Sequence, residues 1–172
     1  VHVADGPEAT LDVVTREIGE LLEREGIARG RVAAIGLSVP GPIDPLTHRL
    51  VEPPIMPGWG GWPITETIRE QLDVPVYIEN DADAMAYGEW ASGQEGAHRP
   101  FLLVKASEFI GAGIVIDGRI YRGFDGGAGD LGHVPVGGEH LCRCGRRGCL
   151  ATEASGDAIL GRLRDQGLAV QD

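Results

Sequence analysis

Every cysteine of the chain falls in one short run, "CRCGRRGC", Cys142 to Cys149. Three thiols cannot pair off evenly, and cysteines used as small apolar residues are scattered rather than bunched. The cluster fits a metal ion that takes four nitrogen or sulfur ligands, and zinc on three thiolates and one imidazole is a common set. Gly145 and Gly148 let the backbone turn tightly enough for sulfurs so close in sequence to face one ion. The fourth ligand must be a histidine nearby, and the candidates are His133 and His140. His140 stands two residues before Cys142, which strains simultaneous coordination, whereas His133 can return across "VPVGGE"; spacing favours His133. Four protein ligands leave no open position, so such a metal would brace a loop rather than carry out chemistry.

A second cluster, "ENDADA" from Glu79 to Ala84, follows an apolar stretch and opens an alanine-rich one. Asn80 and Asp81 there read first as a helix cap. A carboxylate at a strand–helix junction is also able to act as a general base toward a hydroxyl held within hydrogen-bond reach. A third pattern, Gly127-Ala-Gly129-Asp-Leu-Gly132, has the spacing of a dinucleotide fingerprint, with Glu153 about twenty residues further on. That motif needs a helix opening behind the glycines, and Pro135, Gly137 and Gly138 follow instead, so it is rejected.

The elements that position these groups alternate. Leu11, Val14, Ile18, Leu21 and Leu22 recur at helical spacing over residues 8–25, with Gly26 placed to stop the helix. "RVAAIGLSVPG" reads as a buried strand running into a Pro-Gly-Pro turn. Residues 50–63 hold too much proline, glycine and tryptophan for regular structure, and Pro63 opens a short helix through about Leu72. A strand over "VPVYIEN" and a helix from Asp81 follow. Residues 101–106, 110–118 and 119–123 read as consecutive strands with Asp117-Gly118 as a hairpin turn, and residues 156–167 as a last helix. The order predicts an α/β fold with a mixed sheet. Because the chain starts on a helix and stops just after one, both ends are expected to be cuts through a larger protein.

The bulk composition limits the partners. A net charge of -11 with no basic stripe argues against direct nucleic-acid binding, and no apolar run approaches the length of a membrane span. The first ten residues lack a basic region and an apolar signal core, and unpaired thiols suit a reducing compartment, so a cytoplasmic location is expected.

"GAGDLGH" followed by "CRCGRRGC" resembles the ROK family, named for repressors, open reading frames and kinases. Its signatures are Glu-x-Gly-His and Cys-x-Cys-Gly-x-x-Gly-Cys-x-Glu, and "GLSVPGPID", "PGW" and "ENDADA" are further matches. The resemblance covers most of the chain, from about Val32 to Ser155. It implies part of a sugar kinase/actin-type, ribonuclease H-like fold, two-lobed with sugar bound between the lobes, and a zinc-binding loop that supports the sugar pocket. It implies zinc on His133, Cys142, Cys144 and Cys149, and sugar contacts from Asn80, Asp81, Asp130 and His133. In family kinases the position of Asp81 takes the proton from the attacking sugar hydroxyl. A homodimer is implied as well. On this reading residues 1–172 are the central part of the domain, with the phosphate hairpin, the adenosine-binding segment and any DNA-binding domain outside them.

The departures are informative. Asp130 stands where the family has glutamate, one methylene longer. The phosphate-gripping Gly-Thr-Gly-Ile-Gly corresponds to Ser107-Glu108-Phe109-Ile110-Gly111, where Glu108 brings negative charge toward phosphate and Phe109 fills space that must be open. Ala151 stands at the sugar-binding glutamate, with Glu153 a possible substitute two residues on, and Ile55 and Met56 stand where kinases often place an asparagine. A sugar-sensing domain of a transcriptional regulator, binding a monosaccharide or sugar phosphate without kinase activity and without ATP and Mg2+, is therefore expected. The alternative is a fragment of an ATP-dependent sugar kinase of glucokinase or N-acetylglucosamine kinase type.

Overall fold

The computed structural model describes residues 2–51, 53, 55–93 and 99–169. They form two compact units, Val1–Asp81 and Ala82–Asp172.

In the first unit, helix α1 (Pro7–Arg24) starts on a proline and carries Glu8 in its first turn and Arg24 in its last, both favourable to the helix dipole. Its inner stripe differs from the expected one: of the expected residues only Leu11 is fully buried, and Thr10 is buried with it. Leu21 is exposed, whereas Thr15 is buried beside Leu11, its hydroxyl donating to the Leu11 carbonyl at 2.9 Å and meeting the Gln71 side chain. Strand β1 (Ile35–Val39) pairs in parallel with β2 (Val76–Asn80), in register from Ile35 opposite Val76 to Val39 opposite Asn80. The observed strand is shorter than the expected "RVAAIGLSVPG": Arg31 closes a 3-10 turn, Arg29–Arg31, and pairing begins only at Ile35.

Between those strands lies α2 (Ile64–Leu72), which buries Ile64, Ile68 and Leu72, one residue per turn on a single face. Pro63 caps it rather than joining it, and Asp73 ends it in a left-handed conformation at φ 56°. The irregular Pro/Gly/Trp segment is no surface loop: its Met56 and Trp59 are both buried with Leu50, Ile68 and Val74 in the core. The Trp59 indole nitrogen donates to the Val3 carbonyl at 3.0 Å, which satisfies the polar end of a buried ring.

In the second unit, α3 (Asp81–Ser92) continues directly from β2. Strands β3 (Phe101–Ala106), β4 (Ile110–Ile116) and β5 (Arg119–Ile120) form an antiparallel sheet in the order β3-β4-β5. Asp117 and Gly118 turn the second hairpin with φ 50° and 75°, both positive as a two-residue turn requires. β5 stops at Ile120, earlier than expected. The parallel and antiparallel pairings thus belong to different sheets among the described residues, where one mixed sheet had been expected. α3 lies close against β4 at Gly113: a Cβ there would stand 2.3 Å from the Ala82 carbonyl oxygen and 2.5 Å from the Ala86 methyl. Two helices close the unit, an unexpected short α4 (Leu150–Ala154) and α5 (Gly156–Asp165), whose cap Ser155 accepts from the Ala158 amide.

Candidate functional site

The cysteine cluster is a small backbone knot. The Cys142 amide donates to the Arg146 carbonyl at 2.7 Å, and the Gly145 amide returns to Cys142 at 2.9 Å, so the first two sulfurs share one tight turn. An extended segment runs beside it: the Val136 amide donates to Gly148 and the Leu150 amide to Val134, both at 2.8 Å. That pairing sets Cys149 opposite Pro135, just past His133.

His133 itself rides on a single 3-10 turn, Leu131–His133, pressed onto strand β4. Glycine is required for this approach. A Cβ at Gly129 would fall 1.9 Å from the Ala112 carbonyl oxygen, and one at Gly132 would fall 2.5 Å from that of Ile110. Gly129 and Gly132 of the fingerprint-like pattern therefore serve strand contact, and no dinucleotide-binding helix opens behind them.

The structure groups His133, and not His140, with the three thiols. The ligand atoms of His133, Cys142, Cys144 and Cys149 all lie within 4.8 Å of one another and could hold a metal ion. Cys142 Sγ is 3.3 Å from His133 Nδ1, and Cys144 Sγ is 3.6 Å from Cys149 Sγ. Cys142 and Cys149 are buried while Cys144 is exposed. The Arg146 amide, and then its guanidinium, hydrogen-bond the Cys144 sulfur and lower that thiol to about 6. Burial, followed by the neighbouring Cys144 and Cys142 sulfurs, pushes Cys149 up to about 11. One thiol is thus held ready as a thiolate, and another resists ionisation until a cation compensates it.

The other sequence-predicted residues divide. Asp130 is exposed, its carboxylate 4.0 Å from His133 Nε2 on the ring edge opposite the thiols. Glu153, expected as a substitute for the glutamate at 151, already has partners. Its carboxylate is taken by His140 Nδ1 at 2.9 Å and by the Arg162 guanidinium at 3.6 Å, and its carbonyl accepts from Arg162 at 2.6 Å. The pairing of His140 and Arg162 with Glu153 carried no sequence signal, since a fold contact alone joins them. Ala151 sits beside the histidine turn, its methyl 3.4 Å from where a Cβ on Gly132 would be.

Asn80 and Asp81 close the first unit. The Asn80 side-chain nitrogen Nδ2 donates to the Gly41 carbonyl at 2.9 Å, tying the end of β2 to the Pro-Gly-Pro turn after β1. Asp81, half-buried, is the first residue of α3.

In the loop between β3 and β4, the Ser107 amide donates to the Phe109 carbonyl at 3.1 Å and Glu108 faces solvent. The Arg143 guanidinium lies over the Phe109 ring, 4.6 Å from its centroid.

Fold and site together define an α/β chain of the sugar kinase-like class. It is similar to the crystal structure of a ROK hexokinase from Thermus thermophilus, with a TM-score of 0.77 and 32% identity, over 98% of this chain and 55% of that one. The sequence model of the ROK family matches residues 2–171, and the chain belongs to that family. Among curated relatives it is 34% identical to a xylose repressor of Bacillus subtilis, over 98% of this chain and 44% of the repressor. It is 33% identical to a glucokinase of Halalkalibacterium halodurans, over 91% of this chain and 48% of the kinase. The chain spans about half the length of the curated relatives it matches.

Proposed function

We propose that these residues are the sugar-sensing part of a ROK-family transcriptional regulator, without kinase activity. The observation that carries this reading is the β3–β4 loop, where Glu108 and Phe109 stand at the family's phosphate grip and the Phe109 ring is held by Arg143. A carboxylate and a packed aromatic ring there oppose the approach of nucleotide phosphates to backbone amides. The intact protein, on this reading, binds a monosaccharide or sugar phosphate through Asn80, Asp81, Asp130 and His133. It pairs with a second copy and reaches DNA through a domain outside residues 1–172. Glu153, whose carboxylate also meets His140 and Arg162, is a further sugar contact on this reading.

We assign the metal as zinc. Tetrahedral zinc places sulfurs about 3.8 Å apart and a sulfur about 3.6 Å from a nitrogen. The observed separations of 3.6 Å and 3.3 Å come close to both. His133, Cys142, Cys144 and Cys149 would hold it, and it would fix the loop on which Asp130 and His133 stand. Three unpaired thiols suit a reducing, cytoplasmic setting.

Calorimetry on the intact protein against glucose, xylose, N-acetylglucosamine and their phosphates tests the sensing role. One of these ligands should bind with a dissociation constant in the micromolar to millimolar range, and Asn80→Ala and Asp81→Ala should each abolish the heat. Silence across the panel would count against a sugar sensor.

A second reading, a fragment of an ATP-dependent sugar kinase, draws on Asp81 at the β2–α3 junction, where a general base would be needed. It requires sugar-dependent ATP turnover that Asp81→Asn removes.

A further inference from the structure

Arg143 stands between two of the proposed metal ligands, yet its guanidinium leaves the knot and lies over Phe109 of the β3–β4 loop. The same loop has a second contact. The amide of Gly156, the first residue of α5, donates to the Ser107 carbonyl at 2.7 Å. A Cβ at Gly156 would come within 3.0 Å of that oxygen and 3.3 Å of the Glu108 nitrogen, so the contact is backbone on backbone. α5 is in turn tied to the metal cluster, since α4 begins immediately after Cys149 and Arg162 of α5 holds Glu153 of α4. Two routes therefore join the Cys/His cluster to one three-residue loop: Arg143 onto Phe109, and α4–α5 onto Ser107.

We propose that occupancy of the Cys/His site is transmitted to the β3–β4 loop, with Arg143 as the positioning residue. This inference rests on the metal reading above. Metal fixes Cys142 and Cys144 relative to each other, and so fixes the stem of Arg143 between them. The cation is then presented to the ring face at the distance where the ring quadrupole attracts it. Without metal the knot loses its centre, Arg143 is released, and the loop keeps only its α5 contact. The segment at the phosphate-grip position thereby becomes responsive to metal supply or thiol state, which a sensor can use and a phosphate-binding loop cannot tolerate.

The test is amide hydrogen exchange over residues 106–111 in the intact protein, zinc-loaded and after chelation, with zinc stoichiometry measured in parallel. In wild type, chelation should speed exchange there about 2- to 30-fold, the range that a cation–π contact spans. Arg143→Ala and Phe109→Leu should bind zinc fully yet show the fast exchange already in the loaded state. Arg143→Lys, which keeps a cation, should retain part of the protection. Wild-type protein that binds zinc but shows no exchange change on chelation would overturn the coupling alone, as would Arg143→Ala with wild-type protection. Wild-type protein that binds no zinc would sink the metal reading and this inference with it.

Discussion

Cys144 and Cys149 have sulfurs 3.6 Å apart, and their thiols are pulled in opposite directions, to about 6 and about 11. A thiol lowered on folding stabilises the fold fully above its ordinary value near 9, and loses that contribution as pH falls through about 6. A raised thiol stabilises below its ordinary value and loses that contribution as pH rises toward about 11. In metal-free protein, iodoacetamide should therefore label Cys144 from about pH 6 upward and spare Cys149 until far more alkaline pH, as mass spectrometry would read; zinc should suppress both. Cys149→Ser should drop bound zinc from about one per chain to near none and lower Tm by on the order of 10 °C, because metal-binding energy is folding energy. His140→Ala should keep the zinc and cost about 1 kcal/mol or less, since His140 pairs with Glu153 at a largely exposed edge. At this scale the grouping of His133 with Cys142, Cys144 and Cys149 was legible because three of the four side chains stand within eight residues and His133 is a short loop away. The roles of His140, Glu153 and Arg162 were not, because partners in a tertiary ion pair need no spacing at all.

The turn bearing Asp130 and His133 depends on two glycines that touch β4 backbone. Gly129→Ala and Gly132→Ala should each destabilise the chain by about 3 kcal/mol or more in denaturant titrations and weaken zinc retention, because neither Cβ can be housed without moving the turn. Gly137→Ala is the contrast: its φ of 94° strains an alanine, but nothing lies within 4 Å, so about 1–2 kcal/mol is expected with zinc retained. In the first unit Ile68→Ala removes a wholly buried side chain and should cost about 2–5 kcal/mol. The long elements were legible from periodicity, and the Asp117-Gly118 turn from its residue types. Three details were not. Thr15 replaces Leu21 in the inner stripe because its hydroxyl finds the Leu11 carbonyl, which no hydropathy pattern records. The segment holding Met56 and Trp59 reads as loop, since its burial comes from contacts distant in sequence. α4 escapes notice because a five-residue helix is too short to show a period.

Across the whole molecule, the family lay open in the spacing of "DLGH" and "CRCGRRGC", whereas function turns on a few replaced side chains. A net charge of -11 opposes direct contact between these residues and a nucleic-acid backbone. Sugar should act by linkage: at one hundred times its dissociation constant a ligand bound only by the folded state adds about 2.7 kcal/mol, visible as a rise in Tm that Asp81→Ala removes. The central claim is sensing without phosphoryl transfer, and the most direct measurement is ADP release by the intact protein supplied with ATP, Mg2+ and glucose, xylose or N-acetylglucosamine. No sugar-dependent release above background is expected, with wild type and Asp81→Asn indistinguishable. Turnover of about 1 s−1 or more with any of these sugars, abolished by Asp81→Asn, would contradict it.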